Sequence, residues 1–153
     1  MKAMHVFVVF VTCCFVVSGV TTQLASAADK PLKIEEEWKS ARKDGPDDAY
    51  VKDLDGKNEA VITNSKAWTK LWKAWNGDKP VPKVDFEKYM LLVVAAPGAK
   101  NTIDITEVIV TDKGDLRYAG GMSQVGDAGF AYYIVKIQRE GIKTFKGKDL
   151  PSK

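Results

Sequence analysis

Residues 64–77, NSKAWTKLWKAWNG, carry three of the four tryptophans in the chain. At about 100° of rotation per residue, Trp68, Leu71, Trp72 and Trp75 share an arc of roughly 100°. Lys66, Lys70 and Lys73 fall on the opposite side. Asn64 or Ser65 can cap the start by accepting from the free N–H groups of the first turn. Gly77 suits the left-handed position that closes a helix. The spacing therefore predicts one amphipathic helix whose indole face must lie against another layer. Burying a large aromatic side chain stabilises by roughly 2–3 kcal/mol. Leaving three exposed would remove much of a domain's typical stability of about 5–15 kcal/mol. The rings are core by this argument; an aromatic binding platform would instead need one ring left at a groove mouth, and Trp75, nearest the helix end, is the candidate for it.

The covering layer is read from the remaining apolar runs. Residues 89–96 (YMLLVVAA) are continuously apolar and end at Pro97-Gly98, which suits a central strand buried on both faces. Residues 103–110 (IDITEVIV) alternate, slip by one at Thr106-Glu107 and resume, the mark of a β-bulge. Residues 115–119 (DLRYA) are expected to return antiparallel, followed by a mobile glycine-rich loop over 120–129. Residues 130–138 (FAYYIVKIQ) form the last long strand, and a turn at 139–141 leads into 142–145. Upstream, Leu32, Ile34 and Trp38 suggest a half-buried strand. Residues 43–48 (KDGPDD) have turn chemistry, and Asp55-Gly56 between 49–54 and 59–63 predicts a hairpin. Residues 78–83 should run extended because of their two prolines, and 84–88 should form a single turn capped by Asp85. The fold class expected is α+β: a mostly antiparallel sheet packed against one amphipathic helix. Trp68, Leu71 and Trp72 are expected to lie on Leu92, Val94 and Ile105.

The N-terminus reads differently. Lys2, an apolar run over 6–20 and the small-residue exit Ala25-Ser26-Ala27 form a secretory signal peptide. The apolar run is short for a spanning helix, which needs roughly 20 residues. Cleavage after Ala27 would remove Cys13, Cys14 and His5, the only cysteines and histidine. A chain without thiol or imidazole makes no disulfide, no Cys/His zinc site and no Ser-His-Asp or Cys-His catalytic set. Of 23 basic side chains, losing Lys2 leaves 22 against 20 acidic ones. Charges so balanced and interspersed mark no nucleic-acid surface. The mature chain is expected outside the inner membrane, periplasmic or secreted, without membrane attachment.

Other chemistry fails on spacing. Asp53, Asp55, Gly56, Asn58 and Glu59 resemble part of a calcium loop, yet the first and twelfth positions would be Val51 and Ile62, neither a ligand. The 120–129 loop lacks the G-x-G-x-x-G spacing, so nothing supports phosphate cradling. Ser65 and Ser123 have no lysine singled out as a base. Glu35, Glu36 and Glu37 read as a solvated run rather than a glycosidase pair. The expectation is therefore no enzyme, no metal and no cofactor.

Several pieces in order resemble a known family. A short strand, ITNSKAWTKLW, VDFEKYMLLVVAAPG, an alternating strand and AYYIVKIQR succeed one another from about residue 60 to 145. This arrangement resembles the C-terminal domain of the protease-complex subunit PrcB, a family of small bacterial exported domains. The resemblance implies an accessory or interaction role beside a secreted protease, without chemistry of its own. Residues 97–102 depart from the family pattern, with one glycine and no aromatic; if that turn carries recognition in the family, either the partner differs here or the loop is unused. The chain divides into a leader (1–27), an N-terminal strand and turn region (28–58), the PrcB C-terminal-like α+β domain (59–147) and a tail (148–153).

The function expected is recognition of a protein or peptide partner, with a secreted protease as one such partner. Alternatives are a secreted protease inhibitor presenting 97–102 and 120–129 as adjacent loops, or a carbohydrate or small-ligand module using an exposed tryptophan. Loops carried by rigid sheets are where recognition concentrates. The candidate binding residues are thus Trp75, Lys100, Asn101, Thr102, Met122, Ser123, Gln124 and Asp127. Export is checked directly by N-terminal sequencing of the protein recovered from its host. It should begin at about Ala28, and recovery of the intact leader would contradict the reading.

Overall fold

The computed structural model describes residues 29–42, 54, 58–97, 102–123 and 130–151. The described strands are β1 (Lys30–Pro31), β2 (Glu36–Arg42), β3 (Glu59–Ile62), β4 (Tyr89–Pro97), β5 (Thr102–Val110), β6 (Asp115–Ser123), β7 (Phe130–Gln138), β8 (Thr144–Phe145) and β9 (Lys148–Asp149). Between β3 and β4 stands the one α-helix among the described residues, α1 (Ser65–Asn76). The fold is α+β and mostly antiparallel, but its strands form two sheets rather than one. One sheet has the order β2-β7-β4-β3, the other β1-β5-β6-β8-β9. Every neighbouring pair is antiparallel except β6 and β8.

The split arises from β4 and β7. They pair from Tyr89 with Gln138 to Pro97 with Phe130, and both are apolar on each face. Successive strand side chains point to opposite faces. Leu91, Val93, Ala95, Phe130, Tyr132 and Ile134 therefore meet α1. Met90, Leu92, Val94, Ala96, Tyr133, Val135 and Ile137 meet the second sheet. Three layers result: helix, four-stranded sheet, five-stranded sheet.

This corrects one expected contact. Trp68, Leu71 and Trp72 rest on Leu91 and Val93, whereas Leu92, Val94 and Ile105 lie between the sheets. A strand apolar on both faces gives no alternation from which to choose the parity. Leu32 and Ile34 belong to a crossover rather than a strand. The Leu32 N–H donates to Val108 O at 2.8 Å in one sheet, and the Glu35 N–H to Lys136 O at 2.9 Å in the other.

The helix itself obeys its sequence. The Asn64 side chain accepts from the Ala67 N–H at 2.9 Å. Gly77, at φ 61°, donates its N–H to Lys73 O at 2.8 Å. Trp68, Leu71, Trp72 and Trp75 are buried and the three lysines exposed. The extended segment after the helix completes two indoles: Trp68 Nε1 donates to Pro82 O at 2.9 Å and Trp72 Nε1 to Lys79 O at 3.2 Å. Trp38 from β2 packs its ring 5.5 Å from Trp68, so all four tryptophans lie in the helix-side layer. The Asp85 turn is present, with its carboxylate accepting from the Glu87 N–H at 3.1 Å.

The bulge sits where the pattern slips. Ile105 pairs with Gly120 and Glu107 with Ala119, leaving Thr106 extra. That one residue lets Ile103 and Ile105 before it, and Val108 and Val110 after it, face the same core. Gly120 must be glycine, since a Cβ there would meet Asp104 O at 2.2 Å. Residues 120–123, expected in a loop, are instead the end of β6. Glycines read as loop residues in sequence because the close approach of the bulged partner is not visible there. The turn of the hairpin expected around Asp55-Gly56 lies outside the described residues, as does its first strand apart from Leu54.

Candidate functional site

The candidate residues from sequence gather only in part. Thr102 and Ser123 pair across β5 and β6, and their hydroxyls are hydrogen-bonded. Met122 faces Ile103 in the same ladder and is 43% exposed. Lys100, Asn101, Gln124 and Asp127 lie outside the described residues. Trp75 is not at a groove mouth. It is 1% exposed, with its ring 5.1 Å from both Phe130 and Tyr132. The reason is the parity of β7, which turns two aromatic rings toward the last turn of α1.

A cleft of about 460 Å³ lies elsewhere, along β3. Among the described residues β3 is the last strand of its sheet, with β4 beside it. Its register places Glu59 opposite Val94, and Asn58 O accepts from the Ala95 N–H at 2.7 Å. Hydrogen-bonded and non-bonded pairs alternate along an antiparallel ladder. Ala60 and Ile62 thus turn their backbone groups to β4, while Glu59 and Val61 turn theirs outward. The first two turns of α1 supply one wall through Ala67, Lys70 and Leu71. The β8–β9 hairpin supplies the other through Phe145, Lys146, Lys148 and Asp149. Thr63 Oγ1 donates to Pro151 O at 3.1 Å and ties the C-terminal segment across one end.

The hairpin wall is held by charge. Lys146 and Gly147 join β8 to β9 with φ of 50° and 75°, the positive values that a two-residue hairpin turn requires. For a residue with a Cβ this region costs roughly 1–2 kcal/mol. Lys146 gains partners in return. Its Nζ lies 2.5 Å from Glu59 Oε1 and 2.6 Å from Oε2, and 5.0 Å from the Tyr118 ring centroid. The Tyr118 hydroxyl donates to Glu59 Oε2 at 2.7 Å. Burial, and then the Glu59 carboxylate, hold the Tyr118 phenol well above its ordinary range, so it stays a donor at any physiological pH. Glu59 thereby joins β3 of one sheet to β6 and the hairpin of the other.

Asp115 fixes the turn from below. Its Oδ1 accepts from the Gly147 N–H and from Thr144 Oγ1, each at 2.8 Å, and its Oδ2 from Arg117 Nε at 3.1 Å. The Gly147 amide first, then Thr144 and Arg117, lower its pKa against a raising effect of burial. A similar pair holds β2 to β7: the Tyr133 hydroxyl donates to Glu37. Burial and that carboxylate push Tyr133 up to about 12.

Sequence reasoning missed this cleft. Its walls come from a four-residue strand and from residues read as an exposed tail. The available signal was Lys146-Gly147 after the β-prone pair Thr144-Phe145, masked because lysine is an unusual occupant of that turn and Lys148-Asp149 has low strand propensity. Among the described residues, no three His, Cys, Asp or Glu side chains gather to hold a metal. No helix among them is long and apolar enough to cross a membrane. Comparison with family models, curated proteins and solved structures returned no match.

The Asp115 contacts make the hairpin wall sensitive to acid. A carboxyl whose pKa is lowered by folding stabilises above its unfolded value of about 3.9 and loses that contribution as pH falls through the folded value. Amide exchange at Gly147 should therefore stay slow at neutral pH and accelerate, beyond its intrinsic pH dependence, below about pH 4. Asp115→Asn should give fast Gly147 exchange at neutral pH as well. Protection unaffected by the substitution would show that Asp115 does not hold the turn.

Proposed function

We propose that the chain is an exported, non-enzymatic accessory domain that recognises a protein or peptide partner in the cleft along β3. The observation that carries this reading is the cleft's construction. Its volume, about 460 Å³, falls in the range of small-ligand and peptide-side-chain pockets. Its floor and walls are apolar through Ala60, Ile62, Ala67, Leu71 and Phe145, and its rim carries Lys70, Lys146 and Lys148 with Glu59 and Asp149. An apolar slot with a charged rim is how short peptide segments are commonly held. Its walls are fixed by hydrogen bonds to Glu59, Asp115 and Thr63, so little ordering is needed on binding. The resemblance of residues 60–145 to the PrcB C-terminal family supports the same role, with a secreted protease among the partners to be tried.

A protease inhibitor is the second reading, and one observation favours it. Pro97 pairs with Phe130 and Thr102 with Ser123, so residues 98–101 and 124–129 both connect the two sheets from neighbouring strand ends. The aromatic-platform reading loses its ring with Trp75 buried.

The exported protein should be immobilised and challenged with a random seven-residue peptide library. Selection should converge on a sequence pattern. Synthetic peptides of that pattern should shift the amide signals of Val61, Ala67, Leu71 and Phe145. Failure to converge on any pattern would contradict peptide recognition. Shifts confined to Thr102, Met122 and Ser123 would move the site to the inhibitor end.

A further inference from the structure

We propose that the outer face of the helix layer is a lysine platform that docks the folded domain onto a bilayer of anionic phospholipid. The proposal goes beyond peptide recognition and does not involve the cleft along β3. Three observations carry it. The first is where the lysines of residues 64–84 stand. Lys66 and Lys73 are separated on α1 by about 20° of rotation and about 11 Å of rise. They point away from Trp68, Leu71, Trp72 and Trp75, which are buried against the sheet. The segment after the helix then turns back along it. Trp72 Nε1 reaches Lys79 O and Trp68 Nε1 reaches Pro82 O, so residues 79–83 run antiparallel to α1 at its flank. Lys79 is thereby laid at the level of Trp72, and Lys83 near that of Trp68, in the same outer layer. All four lysines are exposed. Lys70 lines the cleft, has a partner and adds nothing to the platform.

The second observation is that this charge is not offset along the chain. Residues 64–84 contain one acid, Asp78, and α1 contains none. Carboxylates are favourable in the first turn of a helix, and a glutamate four residues before a lysine supports an exposed face. With neither, the lysines of α1 repel one another. Elsewhere the surface is mixed: Lys33, Lys39, Lys88 and Lys136 each lie beside a carboxylate. The near balance of charge over residues 28–153 conceals the gathering of lysines in one layer, which replaces the expectation of no membrane attachment.

The third observation is that the residue types select the anion. Every cation of the platform is lysine, a point charge on a flexible stem, rather than arginine with its fixed fork of donors. The exposed residues of α1 between the lysines are small, Ala67 and Ala74. Protein interfaces are depleted of lysine at their centres and anchored by aromatic and arginine side chains. Nucleic acid is read by arginine or stacked on aromatic rings, and here Trp68, Trp72 and Trp75 face inward. A bilayer needs neither anchor. Its phosphodiester headgroups form a plane of negative charge, near which each lysine adds about fivefold to partitioning. The leader read in residues 1–27 would carry the chain across such a membrane.

The test is co-sedimentation of the exported protein with vesicles of phosphatidylglycerol and phosphatidylcholine in equal parts, against phosphatidylcholine alone. The mixed vesicles should bind about a hundredfold more tightly. Raising salt from about 0.1 M to about 1 M shortens the screening length from about 10 Å to about 3 Å and should release the protein. Lys73→Gln combined with Lys79→Gln should weaken binding about tenfold. Lys113→Gln combined with Lys143→Gln removes the same charge from exposed positions beside the five-stranded sheet. That pair should change binding by less than about twofold, since its charge lies outside the platform.

Equal binding to the two kinds of vesicle would overturn the proposal, as would binding that survives the higher salt. Equal losses in the two double variants would show an effect of net charge alone and overturn it too. Binding to dextran sulfate without binding to the mixed vesicles would assign the lysines to a soluble polyanion, with the same consequence. Should a variant not fold, the lipid and salt dependence of the unaltered protein decides. Peptide binding in the cleft stands or falls separately, by the library selection above.

Discussion

The architecture depends on burying both faces of the β4–β7 ladder. Nine consecutive pairs join these strands, and the side chains from Met90 to Ala96 and from Phe130 to Val135 are buried without a break. The backbone of such a pair can reach no water, so its polar groups must be paired within the sheet. Its side chains must be covered on each face. One face is closed by the indole side of α1, the other by the inward residues of β5 and β6. The helix needs a surface for its tryptophans, and the ladder needs a cover. Each answers the other's requirement, and neither would be stable in water alone.

This arrangement places the candidate site. β3 inherits its position from β4, the most enclosed strand, and leads straight into α1 through the Asn64 cap. The β8–β9 hairpin belongs to the opposite sheet, yet the Tyr118–Glu59–Lys146 contacts draw it up to β3. Among the described residues, the cleft is thus the seam where β3 of one sheet approaches the β8–β9 hairpin of the other. Lys146 occupies a backbone region that disfavours it, and non-glycine residues persist there when surrounding contacts determine them. Those contacts run through Glu59 and Asp115, and they act beside the packing of Phe145 and Leu150 on the core between the sheets.

Local rules read much of this correctly from the residues alone. Helix α1, its Asn64 cap and Gly77 end, the Asp85 turn, the central place of residues 89–96 and the bulge at Thr106 all come from patterns shorter than about one strand or helix. What is not legible is long-range. Parity fails at Leu91 and Leu92 because both are apolar. Trp75 reads as a rim residue because its covering rings, Phe130 and Tyr132, lie more than fifty residues away in the chain. Gly120 and Gly121 suggest a loop because the Asp104 carbonyl that excludes a side chain at Gly120 belongs to another strand. The cleft is invisible for the same reason: its walls come from residues 59–71 and 145–151, which read in sequence as a strand, a helix and a tail.

The most direct test of two-sided burial compares Leu91→Ala with Leu92→Ala in denaturant unfolding. These neighbours face opposite layers and are both 0% exposed. Each substitution should cost about 2–5 kcal/mol, the range for emptying a leucine site in a packed core. A cost within about 0.5 kcal/mol for either one, typical of a surface position, would show that its face is open to solvent and that the three-layer account is wrong.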